Sequence, residues 1–149
     1  MKSKDAWNKL VKHCRWIGIP MRHVTKRDNR IDLNGHIAQL LATTNKYMDW
    51  EKTFDGAFCI RLYFSPSRIT WQHVSVLAHE MGHVLDYREN IFLSHRSILQ
   101  DELAANRHAI KVAKLLEIPK EKIQPFLDDI ISQYKAVLRK NNDQQLQPL

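Results

Sequence analysis

The sequence predicts an α+β fold, in which a short antiparallel or mixed sheet packs against one central helix and several others. Two observations support this prediction: residues 57–64 alternate between apolar and polar side chains, and four other segments place apolar residues at helical spacing. Of the 149 residues, 44% are hydrophobic, which is enough for a core without disulfides. We therefore expect a single domain over residues 1–149, with a frayed tail from about 141.

The first element should be a helix that Ser3 caps and that ends before Gly18. Its apolar side chains recur at spacings of three and four residues and form one face, namely Trp7, Leu10, Val11 and Cys14. The next segment, 19–56, contains both helical spacing and a typical hairpin pair, Asn34 followed by Gly35. It is ambiguous, and we favour strands there.

Residues 57–64 read AFCIRLYF, and their alternation predicts a half-buried strand. Its buried face should carry Phe58, Ile60, Leu62 and Phe64. After a Ser-Pro-Ser turn, a helix should begin near Thr70 and continue to about Arg88. This helix carries the motif on which the functional prediction depends.

Two further helices are expected in the second half of the chain. Ser97 and Gln100 have the spacing of a capping box, which predicts a helix over 98–116 that Pro119 closes. A last helix should begin with Pro125 in its first turn, where proline is tolerated. An apolar stripe at helical spacing follows this proline.

The net charge of +7 lies in the first half of the chain, because residues 1–70 hold 13 basic and 6 acidic residues whereas 71–149 hold 10 of each. The densest basic run, 22–30, could contact nucleic acid or an acidic partner, but no aromatic ladder accompanies it and a solvated face is the simpler interpretation. No segment approaches the roughly 18 apolar residues of a membrane span, and no signal peptide is apparent. With Cys14 and Cys59 as separate reduced thiols, we expect a cytoplasmic protein without membrane contact.

Residues 79–83 read HEMGH and lie within the predicted helix. His79 and His83 are one helical turn apart, so both imidazoles can reach one metal ion. Glu80 lies beside a ligand, where its carboxylate can contact water instead of the ion. Zinc activates water at neutral pH, and Glu80 can take the water's proton and pass it to a leaving amine. The motif thus predicts a zinc site with Glu80 as the general base of peptide hydrolysis.

A catalytic zinc site usually has a third protein ligand. The HExxHxxGxxH pattern would need a histidine at position 89, where this chain has Glu89, and the metzincin pattern is therefore excluded. We prefer Glu102 because Asn106 lies one turn further along the same predicted helix, where its amide oxygen can accept the free N–H of His79. The alternatives are Asp101, His95 and His108.

The side chains around the motif leave other roles open. Two roles are predicted for Asp86, one turn beyond His83: it accepts a hydrogen bond from a ligand imidazole or pairs with a basic residue. An ordinary solvated carboxylate is an equal alternative to both. A donor for the developing oxyanion is also needed, and the candidates are Tyr63, Tyr87, His95 and His108. Gly82 costs roughly 1 kcal/mol in a helix interior, which indicates either a close backbone approach or simple tolerance.

The motif helix and the next helix resemble the ImmA/IrrE-type metallopeptidase family. The resemblance lies in LAHEMGHVL at 77–85 and DELAANRHAIKVAKLLEIP at 101–119. It implies a zincin-like fold of the gluzincin type, with zinc ligands, a base and a neighbouring amide at His79, His83, Glu102, Glu80 and Asn106. Arg107 followed by His108 replaces the family's usual aromatic residue, and Ile118 replaces its usual Met, so the departures concern the substrate groove.

Members of that family are often encoded on mobile elements such as phages, and some cleave a DNA-binding repressor. The resemblance therefore implies a repressor or another regulator as the protein substrate. One alternative is an SprT-like protease that acts on DNA-bound proteins and takes a third histidine, His95 or His108, as ligand. The other is a catalytically silent, zinc-stabilised module that sequesters a regulator.

Overall fold

The computed structural model describes residues 1–23, 48–52, 58–63, 67–90 and 96–140. These residues form four helices and three strands, which confirms the predicted α+β class with a small sheet. In chain order the elements are α1 (Ser3–Trp16), β1 (Met21–His23), β2 (Met48–Lys52), β3 (Phe58–Leu62), α2 (Trp71–Glu89), α3 (Ile98–Leu115) and α4 (Lys120–Lys140).

The sheet is mixed and has the order β1-β3-β2, with β1 parallel and β2 antiparallel to β3. Strands β1 and β2 confirm our preference for strands over 19–56 where that segment is described, and 24–47 lies outside the described residues. The half-buried prediction for β3 is wrong, because all five of its residues are buried. As the central strand it is flanked on both edges, and the polar Arg61 is paired with Asp49.

Helix α1 has the predicted apolar face but not the predicted cap. Its N-cap is Lys2, without a side-chain cap hydrogen bond, and the hydroxyl of Ser3 instead donates to the carbonyl of Ile69 at 2.9 Å. The helix ends at Trp16, and Gly18 follows two residues later with a φ of 75°, in the left-handed region that glycine adopts without strain. This turn directs Ile19 back into the core, where it is 1% exposed.

Helix α2 lies at the centre of the molecule and contacts α1, α3, α4, β2 and β3. It starts after Thr70, whose side chain accepts from the backbone N–H of His73 in a capping box. Every residue over 74–82 is buried, so the middle of this helix has no solvent-exposed face. A polar side chain in this stretch is therefore costly unless it has a partner within the protein.

Helix α3 begins as predicted, since Ser97 and Gln100 exchange both hydrogen bonds of a capping box at 2.9 and 3.1 Å. Helix α4 begins at Lys120, so the prediction of Pro125 in the first turn is wrong. Burial of Ile123 one turn before Leu127 stabilises the helix upstream of the proline. The missing N–H of Pro125 leaves one carbonyl without its helical donor, that of the exposed Glu121, which water can solvate.

The buried side chains of all four helices and of β2 and β3 belong to one hydrophobic cluster. Cys14 and Cys59 are buried free thiols, as predicted; Cys14 belongs to the cluster, and burial raises its pKa to about 12. None of the described helices is both long enough and apolar enough to cross a membrane.

Candidate metal centre

Three potential metal ligands converge between α2 and α3. The Nε2 atoms of His79 and His83 lie 3.1 Å apart, and Oε2 of Glu102 lies 3.3 Å from Nε2 of His79 and contacts Nε2 of His83. The ligand atoms of all three residues lie within 4.8 Å of one another. These residues, called the ligand cluster below, can hold a metal ion.

The packing of α2 against α3 positions the ligand cluster. A Cβ atom built on Gly82 would lie 2.0 Å from the carbonyl oxygen of Ala105, so the two backbones touch at this point. Of the two interpretations of Gly82, close backbone approach is therefore the correct one. Glu102 lies one turn before Ala105, and the contact brings its carboxylate to the two histidines.

A hydrogen-bond chain determines which nitrogen of His79 faces the cluster. The amide nitrogen of Asn106 donates to the carbonyl of Leu127 at 3.0 Å, which orients the amide and leaves Oδ1 as its acceptor. Nδ1 of His79 lies 2.7 Å from this oxygen and must therefore carry the proton that it donates. Nε2 is then the nitrogen of His79 available to a metal ion, with the orientation that a second partner gives to ligand histidines.

Glu80 lies in the same buried region but has no comparable partner. Its side chain is 0% exposed, and neither carboxylate oxygen has a hydrogen-bond partner among the described residues. Burial raises the pKa of Glu80 well above its ordinary value, and the charges of Glu102 and Asp49 add to this although His79 opposes it. A buried carboxylate without a partner is costly and marks a functional position.

The charges of the ligand cluster compensate one another without an ion. Burial lowers the pKa of His79, but the charge and hydrogen bond of Glu102, with smaller contributions from Glu80 and Asn106, raise it to about 9. Burial raises the pKa of Glu102, and the two histidines outweigh this and hold it below its usual range. Metal ligands must give up their protons to bind an ion, so metal binding at the ligand cluster should depend on pH.

Of the three alternatives to Glu102 as a ligand, Asp101 and His108 lie near other charged side chains. Asp101 lies 3.8 Å from Nη1 of Arg96, and Nε2 of His108 lies 3.3 Å from the carboxylate of Glu89. His95 lies outside the described residues. Among the described residues, only Glu102 joins the two histidines.

Asp86 adopts the second of its two predicted roles, pairing with a basic residue. One of its oxygens accepts from Arg96, and the other accepts from Nδ2 of Asn90 at 2.9 Å and lies 3.8 Å from Nε2 of His108. Arg96 precedes α3 and Asp86 belongs to the last turn of α2. This ion pair therefore ties the end of one ligand-bearing helix to the start of the other.

Each of the described candidates for the oxyanion donor has a partner outside the ligand cluster. The hydroxyl of Tyr63 donates to Oδ2 of Asp49 at 2.7 Å, and His108 pairs with Glu89. The ring of Tyr87 packs between those of Trp50 and Phe58, with centroid distances of 6.0 and 5.2 Å. Tyr87 is the candidate nearest in sequence to the ligand cluster, one turn beyond His83.

Two features of the site were missed in the sequence. The ring of Trp50 stacks on that of His83, with centroids 5.9 Å apart and an interplanar angle of 28°. The guanidinium of Arg61 donates two hydrogen bonds of 2.7 Å to Asp49, directly opposite it in the sheet. Opposite charges on paired strands are a signal for such contacts, but it requires the register, which was not evident.

Comparison with known proteins gives no matching family model, curated protein or solved structure. The functional argument therefore depends on the geometry and chemistry of the site. The basic run 22–30, for which we preferred a solvated face over contact with nucleic acid or an acidic partner, adds nothing to it, because 24–30 lies outside the described residues.

Proposed function

We propose that the protein is a zinc-dependent peptidase that hydrolyses a peptide bond in a protein substrate. The ligand cluster of His79, His83 and Glu102 would hold the ion, and Glu80 would be the general base. The observation that carries the proposal is the buried carboxylate of Glu80, which lies beside the ligand cluster without a hydrogen-bond partner among the described residues.

The donor set and its spacing support zinc. Nitrogen and oxygen ligands about 2.0–2.1 Å from a tetrahedral ion lie roughly 3.3 Å from one another. Two of the three separations in the ligand cluster, 3.1 Å from His79 Nε2 to His83 and 3.3 Å to Glu102, are close to this edge length, whereas Glu102 and His83 lie closer together. Three protein ligands leave one coordination position for water or substrate, which is typical of catalytic zinc sites.

A bound zinc ion would supply Lewis acidity, lowering the pKa of water and polarising the scissile carbonyl. Glu80 takes a proton from the attacking water, whose oxygen forms a bond to the carbonyl carbon. The same carboxyl group then gives that proton to the amine nitrogen as the C–N bond breaks, so that an acid and an amine are released. Asn106 and Trp50 keep the two ligand imidazoles in position.

The resemblance to the ImmA/IrrE-type family extends the proposal to the substrate. A regulator such as a DNA-binding repressor, cleaved in the cytoplasm, is the substrate class that this resemblance supports. A zincin-like relationship is part of the same proposal, and it is supported by the position of Glu102 one turn before Asn106 on the helix that packs on α2.

Removal and return of zinc test the proposed activity. Zinc-loaded protein incubated with a proteome-derived peptide library should generate new peptide termini, which mass spectrometry detects. Chelation with 1,10-phenanthroline should stop cleavage, and added zinc should restore it. Cleavage that continues at the full rate in metal-free protein would contradict a metal-dependent mechanism.

Glu102→Ala should lower zinc affinity by more than about 100-fold, because loss of a ligand costs more than the 10–100-fold typical of residues that orient ligands. Competition with a chromophoric chelator measures this affinity. Asp101→Ala is the matched control, since Asp101 is adjacent in sequence but outside the ligand cluster, and it should keep zinc. If Glu102→Ala retained zinc while His95→Ala or His108→Ala lost it, the SprT-like alternative would be favoured.

A further inference from the structure

A groove of about 800 Å³ lies between the C-terminal ends of α1 and α3, apart from the ligand cluster. Its apolar wall is formed by Trp16, Leu115 and Leu116, and its basic side chains are Lys9, Lys12 and Arg15. The volume of the groove lies within the range of known ligand pockets, which is roughly 300–1,000 Å³. On α3, 13 residues separate Glu102 from Leu115, so the groove is about 20 Å from the ligand cluster along the helix axis.

The apolar wall is unusually exposed. Trp16 is 83% exposed and Leu115 is 67% exposed, and these two are the most exposed of the large hydrophobic side chains in the described part of the chain. Trp16 lies on a face of α1 different from the buried face around Leu10, so it contributes nothing to the core. Exposed aromatic and aliphatic side chains that line a groove mark an interaction site.

The charge of the groove indicates the chemistry of the ligand. The groove is lined by three basic side chains and by one carboxylate, that of Glu117, so its net charge is positive. Burial lowers the pKa of His13, which therefore adds no charge at neutral pH. The ammonium of Lys9, in the middle of α1, donates to the carbonyl of Leu116 at 2.9 Å and so joins α1 to the C-terminal end of α3. Lys12 and Arg15 are exposed and form a positive rim around the apolar wall.

We propose that this groove is a docking site for an acidic peptide segment of a partner protein, a segment that carries leucine or aromatic side chains. An apolar anchor would cover Trp16 and Leu115, and flanking carboxylates would face Lys12 and Arg15. An apolar centre with a charged rim is the arrangement of a peptide-binding hot spot. The site is independent of the proposed peptidase activity, because no residue of the groove belongs to the ligand cluster.

A pair of defined peptides tests the proposal on the full chain. Both are fluorescein-labelled 12-mers with two leucines four residues apart, flanked by glutamates in one and by lysines in the other. At low salt the glutamate peptide should bind about tenfold more tightly, as measured by fluorescence anisotropy, because screening of surface charges is then weak. The preference should be unchanged in chelator, so a failed peptidase proposal would leave this result intact.

Variants of exposed residues assign the binding to the groove without threatening the fold. Trp16→Ala should weaken the glutamate peptide about tenfold, and Leu103→Ala, which removes an exposed leucine outside the groove, should leave it unchanged. Lys12→Glu combined with Arg15→Glu should reverse the preference in favour of the lysine peptide. Circular dichroism would verify that each variant is folded.

Other outcomes overturn the proposal. The proposal is wrong if the two peptides bind equally well or if neither binds. It is also wrong if Trp16→Ala and Leu103→Ala weaken binding by the same factor. Trp16-dependent binding of phosphatidylserine vesicles or single-stranded DNA in place of the peptides would assign the groove to a membrane or nucleic acid. A Trp16-dependent dimer in sedimentation would assign it to a second copy of the chain.

Discussion

Glu80→Gln should abolish peptide cleavage by the zinc-loaded protein and leave zinc binding and the fold intact. The amide has the shape of the carboxylate and is not one of the three ligands, but it cannot accept the proton of the attacking water. Loss of a general base typically reduces the rate about 10²–10⁴-fold. Mass spectrometry of the peptide library measures the cleavage rate, and the zinc content of the purified variant shows whether zinc binding is kept.

Glu89→Gln is the matched control for that substitution. Glu89 belongs to the same helix but is exposed at its end, so its amide variant should cleave at the wild-type rate. Full activity of Glu80→Gln would refute the proposed mechanism. If zinc-loaded wild-type protein cleaved nothing but still bound a regulator stoichiometrically, the silent binding module would replace the peptidase.

Glu80→Gln should also change the pH dependence of the free energy of unfolding in metal-free protein. The pKa of Glu80 is raised in the folded state, so the folded chain holds this proton more tightly than the unfolded chain. Its contribution to stability is complete below the unfolded pKa and falls as the pH rises towards the folded value. Above about pH 4.5, Glu80→Gln should therefore lose less stability than wild type with rising pH, as measured by urea unfolding.

Gly82→Ala should destabilise the protein and weaken zinc binding together. The new Cβ would lie 2.0 Å from the carbonyl oxygen of Ala105, which is backbone and cannot rotate away, so α2 and α3 must separate. Overpacking of this kind costs about 1–3 kcal/mol. Because Glu102 lies one turn from Ala105, the separation also draws a ligand away from the histidines, and we expect a tenfold or greater loss of zinc affinity, about 1.4 kcal/mol or more.

Gly18→Ala separates the effect on the metal from the effect on the fold. Alanine at a φ of 75° costs about 1–2 kcal/mol, and no atom lies within 4 Å of the added Cβ. This variant should lose comparable stability in chemical denaturation but keep wild-type zinc affinity. Equal zinc affinity in both glycine variants would show that the contact with Ala105 does not position Glu102.

The parts of the fold and site that could be predicted depend on local patterns. The four-residue spacing of His79 and His83, the capping box of Ser97 and the turn between Glu102 and Asn106 all follow from the geometry of one helix. We could predict that His79, His83 and Glu102 come together because the helix that carries the histidines and the helix that carries Glu102 were each recognisable from the sequence. The distance between α2 and α3 depends on Gly82, for which the sequence allowed two interpretations.

What could not be predicted depends on contacts between distant segments. Arg61 has the polar position of a half-buried strand, and its pairing with Asp49 on the next strand offsets the cost of burying its charge. Trp50 reaches His83 through the sheet register, which no pattern in the segment 19–56 revealed. Ser3 has the residue type of a helix cap, but its bond to Ile69 depends on tertiary packing.

Asn106 connects the ligand cluster to the last helix through the carbonyl of Leu127. During synthesis, both histidines emerge before Glu102, and Asn106 emerges before the residue that orients its amide. Without the carbonyl of Leu127, the amide of Asn106 lacks the acceptor that orients it, and His79 then lacks an oriented partner. Loss of the segment from Leu127 onward should therefore disturb the ligand cluster, although no residue of α4 belongs to it.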